Sequence, residues 1–341
     1  MLEQYMEIFS KLNSHSKYFS LGVKNMFARP VSRTTQVGVF LASEGLAVAN
    51  IEIIGQSDFI LKSYECIVEK DPQEQFKALD LYIKKNGLKK KSCIVVIEEG
   101  KYNLIQMPAP YVEEKEMKSA LRWSLHDYID YPVENSVIEI FNAPGDERHQ
   151  KKVYVVVSKE QEIRDIAKFI DKAGLNLKVI DIPQLALRNV LKNKGNYVQG
   201  IALLTFKKEY GSINIYKNSE LYLSRKINTG LTKISSMLSQ GKSELEINEL
   251  LYDPIILELQ RSLDYYESSF YTAPIKQILV APGCEMLHEF CEYTNKNSGA
   301  SAELIDLRKI FSKSITFNEE SEANCFLAIA AALRNLELQN E

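Results

Sequence analysis

The stretch QVGVFLASEGLAVANIEIIGQSDFILKSYECIV, residues 36–68, decides the fold. Gln36 to Leu41 is a short apolar run. After Ala42-Ser43-Glu44-Gly45, Leu46 to Ile54 alternates apolar and small residues, and Ser57 to Val68 is a third extended run carrying Phe59, Ile60, Tyr64, Cys66 and Ile67. Three such runs separated by tight turns predict a meander. Asp71-Pro72 then opens a helix, because Asp is a good N-cap and Pro is tolerated in the first turn. Phe76, Leu79, Leu81 and Tyr82 give that helix a buried face, and Asn86-Gly87 stops it. Ser92 to Ile97 reads as a strand buried on both faces.

The same order recurs in the second half. Ile201 to Phe206, Gly211 to Tyr216 and Glu220 to Ile227 predict another meander. A helix over Leu231 to Leu238 follows, then a long helix from Asp253-Pro254 to about Tyr271, then a buried strand over Ile275 to Ala281. The copies share pattern, not residues. A duplicated meander with helices predicts an α/β protein of two facing lobes with a cleft between them.

A separate unit lies between the copies. Met107-Pro-Ala-Pro110 punctuates the chain. Val112 to Tyr128 then has helical spacing through Met117, Leu121, Trp123 and Leu125, and Tyr131-Pro132 ends it. Val137 to Phe141 and Lys152 to Val157 predict strands around Ala143-Pro-Gly-Asp146. Ser158 is the expected cap of a helix to Lys172, with Gly174 as its stop. Leu177 to Ile182 is a strand and Pro183 to Leu191 a short helix. The C-terminal region adds helices over Glu285 to Tyr293 and Ala323 to Leu336. The expected division is an N-terminal extension (1–34), a first lobe (35–108 and 183–199), an inserted βαββαβ-like module (109–182) and a second lobe (200–341), with a helical part near 231–272.

Composition narrows the function. The chain has 341 residues and a net charge of −3, from 42 basic and 45 acidic residues, so it lacks the basic field of a nucleic-acid-coating protein. No segment has the roughly 18 uninterrupted apolar residues of a membrane span. The first residues, with Glu3, Glu7, Lys11, Lys17 and Lys24, lack a signal-peptide core, which predicts a cytoplasmic protein. Cys66, Cys93, Cys284, Cys291 and Cys325 are scattered and form no C-x-x-C pair. His15, His126, His149 and His288 do not cluster, so no metal-ligand set is expected.

The segment EEKEMKSALRWSLHDYIDYPVE (113–134), running on into VIEI (137–140), resembles the PilM family of type IV pilus assembly proteins, a branch of the actin-like ATPase superfamily. RSLDYY (261–266) and AIAAALR (328–334) are further similar stretches, and the resemblance covers roughly residues 36–336. Within the family the chain looks most like MshI, the mannose-sensitive haemagglutinin (MSHA) pilus version. GspL, of type II secretion, is a more distant relative. The resemblance implies an actin-like (ribonuclease H-like) two-lobe fold with the module inserted in the first lobe. It also implies a cytoplasmic adaptor, held at the inner membrane through other platform proteins. Its partner would be the cytoplasmic tail of a PilN-like bitopic membrane protein, docked between the first lobe and the module.

Whether such a protein uses ATP depends on two phosphate-binding hairpins and a Gly-Gly turn at the adenosine. At the first hairpin, Gly38 and Ser43 match the family pattern, but Phe40 stands near the expected Asp. At the second, Leu203-Leu204-Thr205-Phe206-Lys207-Lys208-Glu209 has no Asp. At the third, Ala281-Pro282-Gly283-Cys284 keeps one Gly. The expectation is a pseudo-ATPase whose vestigial pocket is Gly38, Ser43, Lys207, Lys208 and Gly283. No catalytic residue, cofactor or metal is expected, and Lys207 and Lys208 read as a solvated turn.

Other chemistry has plainer explanations. Glu113, Glu114 and Glu116 suit a helix start, and His126 beside Asp127 has no nucleophile in an elbow. On the long helix, Leu257, Leu259, Leu263, Tyr266 and Phe270 form the expected buried face, and Arg261, Asp264 and Glu267 an alternating charged one. Trp123, Tyr128 and Tyr131 are the expected partner-binding residues, since aromatic side chains are enriched at interfaces. Three alternatives stay open: an ATP-switched adaptor, a small-molecule kinase on the same fold, and an FtsA-like filament protein. The last would need a C-terminal membrane helix, whereas residues 334–341 are polar and acidic.

Overall fold

A computed structural model describes residues 33–55, 58–145, 151–192, 199–284, 286–313, 316, 319–334 and 336. The expectations for residues 1–32 lie outside this set. Strands β1 (Arg33–Ala42), β2 (Gly45–Ile54) and β3 (Asp58–Ile67) form the first meander. β1 therefore begins inside the expected extension, with Arg33 opposite Ile54. Helix α1 (Pro72–Lys85) follows, and the Asp71 carboxylate accepts from the backbone N–H of Gln73 and Glu74. Leu79, Tyr82 and Ile83 are buried, but Leu81, expected on the same face, is 66% exposed. It lies two residues from both Leu79 and Ile83, roughly opposite them on a 3.6-residue helix. Strand β4 (Ser92–Ile97) lies parallel to β1.

The chain then forms β5 (Tyr102–Pro108), α2 (Glu114–Arg122), β6 (Ser136–Ala143), β7 (Lys152–Lys159) and α3 (Glu160–Lys172). β8 (Asn176–Asp181) and α4 (Pro183–Lys192) complete the first half. β5, β7 and β6 make a three-stranded sheet, whereas β8 pairs in parallel with β4 in the first-lobe sheet. Two boundaries of the expected module are thereby corrected. It gains β5, whose strand signal is masked by Pro108 and Pro110, and it gives up β8, whose Val179 and Ile180 are buried beside β4.

Within the module the expected helix is shorter. α2 ends at Arg122, and a 3₁₀ turn over Trp123–Asp127 tightens the chain. Ser158 is not a helix cap. It lies in β7, where its hydroxyl donates to the Lys101 carbonyl at 2.7 Å.

The second half contains β9 (Ile201–Phe206), β10 (Gly211–Lys217), β11 (Glu220–Ile227), α5 (Leu231–Ser239), α6 (Glu244–Ile247) and α7 (Asp253–Phe270). β12 (Gln277–Val280), α8 (Met286–Asn297), β13 (Ser301–Leu304) and α9 (Glu319–Ala332) follow. The long helix starts at Asp253 as expected, and a short helical turn, α6, precedes it, where Ser243 and Glu246 form a capping box. A π turn over Asn248–Tyr252 joins α6 to α7 just before Pro254. Proline inside a helix removes a ladder donor, and a π turn is one way to absorb the break. On α7, Leu257 is 47% exposed, and the buried face is Ile255, Ile256, Leu259, Leu263 and Tyr266. Of the expected charged face, Arg261 pairs with Glu258, outside that set, at 2.7 Å.

The two five-stranded sheets have the same order, β3-β2-β1-β4-β8 and β11-β10-β9-β12-β13. Leu203, Tyr216 and Leu279 of the second sheet join the same core as α4, α9 and the first sheet. The lobes are therefore joined through one continuous apolar layer. Helix α9 is rich in alanine because it lies directly on a strand. A Cβ on Gly38 would sit 2.0 Å from the Ala328 carbonyl oxygen and 2.6 Å from the Ala332 nitrogen. Just beyond α9, Arg334 reaches Asp181 with Nη1 to Oδ2 at 2.6 Å, the side chains being 4% and 0% exposed.

Candidate functional site

Two hairpins face each other across the lobes. The β1–β2 turn presents Ser43 and Glu44, and the β9–β10 turn presents Lys207, Lys208, Glu209 and Tyr210. Lys208 Nζ lies 3.0 Å from Glu44 Oε2, and Lys70 Nζ lies 3.4 Å from Glu44 Oε1. These two ammonium groups hold the Glu44 carboxyl below its usual range. Lys207 is partly buried, not a solvated turn residue, and its Nζ sits 4.6 Å from the centre of the Phe40 ring. Burial pulls its ammonium down to about 8, against the opposing pull of Glu99 and Glu98. The Ser43 hydroxyl donates to Glu98 Oε2 at 3.3 Å.

The second hairpin is stitched to the start of α5. Leu231 N and Thr232 N donate to the carbonyls of Lys207 and Lys208, each at 2.8 Å, so two first-turn donors of that helix are already engaged. Gly230 permits the approach, since a Cβ there would lie 2.4 Å from the backbone of Glu209 and Tyr210. The expected vestigial residues thus have separate structural roles. Gly38 packs α9 against β1. Gly283 packs against α8, where a Cβ would lie 2.4 Å from Leu287 Cδ1. Ser43, Lys207 and Lys208 meet at the hairpins. Gly283 also lines a cavity of about 300 Å³ with His288, Asp306, Arg308 and Glu322. There Arg308 is held by Asp306 through Nε–Oδ1 at 2.7 Å and Nη2–Oδ2 at 3.2 Å.

A wider cleft of about 560 Å³ opens beside the hairpins. One wall is β5, from Tyr102 to Gln106, with Tyr128 beside it. The other is second-lobe surface, with Tyr210, Leu223, Ser224 and Lys226. β5 and β11 are both edge strands of their sheets. Tyr102 donates to Gln184 Oε1 at 2.7 Å, and Tyr154 to the Tyr222 carbonyl at 2.9 Å, so the module is bonded to both lobes. Glu99, also in the cleft, has its carboxyl pushed up by burial against the hydrogen bond from Tyr210 and the charges of Lys207 and Lys226. Lys226 Nζ lies 4.1 Å from the centre of the Tyr210 ring.

Of the expected partner-binding aromatics, Tyr128 lines this cleft and is 53% exposed. Trp123 is 80% exposed on the module and is not among the cleft-lining residues. Tyr131 packs under Lys159, whose Nζ is 4.9 Å from its ring, and burial raises its phenol. Sequence reasoning missed Glu44, Glu99, Tyr210, Lys226 and the β5 edge. β5 carried little strand signal, because Tyr102-Asn-Leu-Ile-Gln-Met107 breaks a strict alternation at Leu104-Ile105 and ends at Pro108.

No helix among the described residues is long and apolar enough to cross a membrane. No family model and no curated protein matches this chain. Among solved structures it is similar to one of a PilM-PilN type IV pilus biogenesis complex. That match has 17% identity and a TM-score of 0.64, and covers 87% of this chain and 97% of that chain. A Bacteroides thetaiotaomicron protein with an actin-like ATPase fold and unknown function is similar at 9% identity and a TM-score of 0.47, covering 83% and 94% of the two chains. The cytoplasmic domain of EpsL, an inner-membrane component of the type II secretion system of Vibrio cholerae, matches at 10% identity and a TM-score of 0.44, covering 87% and 95%. The chain has the two-lobed actin-like ATPase fold, in an arrangement similar to that of the PilM-PilN structure.

Proposed function

We propose that this chain is a cytoplasmic adaptor of a type IV pilus assembly platform at the inner membrane. It binds the cytoplasmic tail of a PilN-like bitopic membrane protein, and the specific system is the MSHA-like one served by MshI. The observation that carries this reading is the cleft whose opposite walls are the edge strands β5 and β11. An extended segment laid along an edge strand gains main-chain hydrogen bonds, and neighbouring pockets select its side chains. The similarity to a PilM-PilN complex supports the choice of partner. Tyr128 is the aromatic anchor in this reading; Trp123 and Tyr131 have no cleft position to support them.

The adaptor acts by recognition, without ATP turnover. The hairpin residues fit a magnesium–triphosphate poorly. Phe40 offers no carboxylate to position a metal-bound water, and an ion pair already spans the two turns. Gly38 is covered by α9, so its backbone is closed to a phosphate.

The test is capture from the protein's own host. The tagged chain, Tyr128→Ala and Ile105→Asp are each recovered from gently solubilised membranes, and co-purifying proteins are identified by mass spectrometry. The expected result is a single-span protein with a short cytoplasmic tail, together with pilus components, recovered by the parent chain and reduced in both variants. Equal recovery by all three would remove the β5 cleft from the reading. A thermal shift with Mg-ATP tests the second half, because a ligand that binds the native state raises Tm. A rise at micromolar nucleotide would instead support the ATP-switched alternative.

A further inference from the structure

We propose that the β1–β2 and β9–β10 hairpins form a clasp between the lobes, made of the Glu44–Lys208 ion pair and the Phe40–Lys207 contact, and that this clasp sets the width of the cleft beside it. Its consequence for docking rests on the function proposed above; the clasp itself does not.

Among the described residues the lobes meet through the apolar layer of α4 and α9, which is shared between the sheets, and through the module, whose Tyr154 bonds the Tyr222 carbonyl. They meet again at the pair of hairpins, where Lys208 reaches Glu44 at 3.0 Å and Lys207 covers the Phe40 ring at 4.6 Å. The short turn from Lys207 to Tyr210 carries both clasp lysines and a wall of the cleft, because Tyr210 lines it. The Lys207 N–H donates to the Tyr210 carbonyl at 2.7 Å, which makes the turn one unit. Tyr210 and Glu99 of the first lobe line the same cleft. Movement of this turn away from β1 therefore moves the cleft wall with it.

The clasp is sensitive to pH in a defined direction. Lys207 is faced by Phe40, Glu98 and Glu99 from the first lobe. Lys208, Glu209 and Tyr210 lie on its own turn, Glu44 and Lys70 lie at the neighbouring ion pair, and Lys226 belongs to β11. Burial outweighs the carboxylates and holds the ammonium at about 8. Opening the clasp returns it to water, where a lysine titrates near 10.4. The open form thus keeps a proton that the closed form has released, so raising the pH from 7 to 9 favours the clasped form.

Hydrogen exchange on the full chain tests this without any partner. Protection factors are compared for the hairpin amides, residues 42–45 and 207–210, and for β4 and β9 as the global reference. Glu44→Lys and Lys208→Glu should each lower hairpin protection about threefold, the size expected of an exposed ion pair. The double exchange should restore it, with β4 and β9 unchanged throughout. Hairpin protection in the parent chain should be higher at pH 9 than at pH 7, and Lys207→Met should abolish that step. Unchanged hairpin protection in the single variants, no rescue in the double, a matching loss in β4 and β9, or a pH step that survives Lys207→Met would each overturn the clasp. None of these results bears on whether the cleft binds a membrane-protein tail, which the capture experiment decides.

Discussion

The two lobes repeat one sheet order but differ in what lies between the fourth and fifth strands. In the second lobe a single helix, α8, joins β12 to β13. In the first, β4 and β8 are separated by the whole three-stranded module. The insertion leaves from the carboxyl end of β4, the end of the sheet where an open α/β fold places its ligands. It brings a new edge strand, β5, to face β11 across the cleft. The duplicated part supplies a scaffold, and the unpaired part supplies the candidate site. The strands at the centre differ as well. β1 carries Gly38 opposite Ile94, whereas β9 carries Leu203 opposite Leu279. At that position β1 has the backbone of α9 pressed against it.

Four changes would break or sharpen this comparison. The largest effect is expected from Asp181→Ala, which removes the carboxylate that the buried Arg334 bonds at the end of the first sheet. Removing one member of a buried pair costs about 3–5 kcal/mol, read as a fall in the denaturation midpoint. A loss under about 1 kcal/mol would mean that water reaches this pair. Gly38→Ala should cost about 3 kcal/mol, at the upper end for overpacking, because backbone and not a flexible side chain blocks the new methyl. Gly230→Ala is its second-lobe counterpart, pressed on the backbone of Glu209 and Tyr210. A cost of about 1–3 kcal/mol is expected, and it should come with lost hairpin protection, since α5 and the hairpin share that contact.

The smallest effect belongs to Lys207. Its folded-state pKa is depressed, so its contribution to stability is complete above the unfolded value of about 10.4 and is lost as pH falls toward about 8. Lys207→Met should therefore stabilise the protein at pH 7 by about 1 kcal/mol. The stability difference between parent and variant should shrink as pH rises from 8 to 10. A difference that is flat with pH would mean that the ammonium is fully hydrated in the native state.

Much of the scaffold was legible because its signals are local. The meanders, the Asp71 cap and the buried strands declare themselves by period and turn chemistry. The module was harder. β5 ends in proline, and β8 looks like any buried run, so only pairing shows which sheet owns each. The AIAAALR stretch, residues 328–334, was legible as a motif but not as physics. In the fold its alanines lie against Gly38, and its arginine closes the buried pair with Asp181. The candidate site was the least legible part. Gly38 and Gly283 read as remnants of phosphate and adenosine loops, yet each is explained by close packing. Glu44, Glu99 and Tyr210 are ordinary surface letters until the fold brings the hairpins together. Tyr128 was singled out for its aromatic surface and does line the cleft, whereas Trp123 shows that exposure alone does not place a residue there.

The central claim is recognition in the β5–β11 cleft without help from a nucleotide. Its most direct test is calorimetric titration of the captured partner's cytoplasmic tail, made as a synthetic peptide, into the full chain with and without Mg-ATP. The account predicts one site, an affinity unchanged by nucleotide, and at least tenfold weaker binding to Ile105→Asp, whose charge would sit against the docked strand. Binding that appears only with Mg-ATP, or that is unaffected by Ile105→Asp, would contradict it.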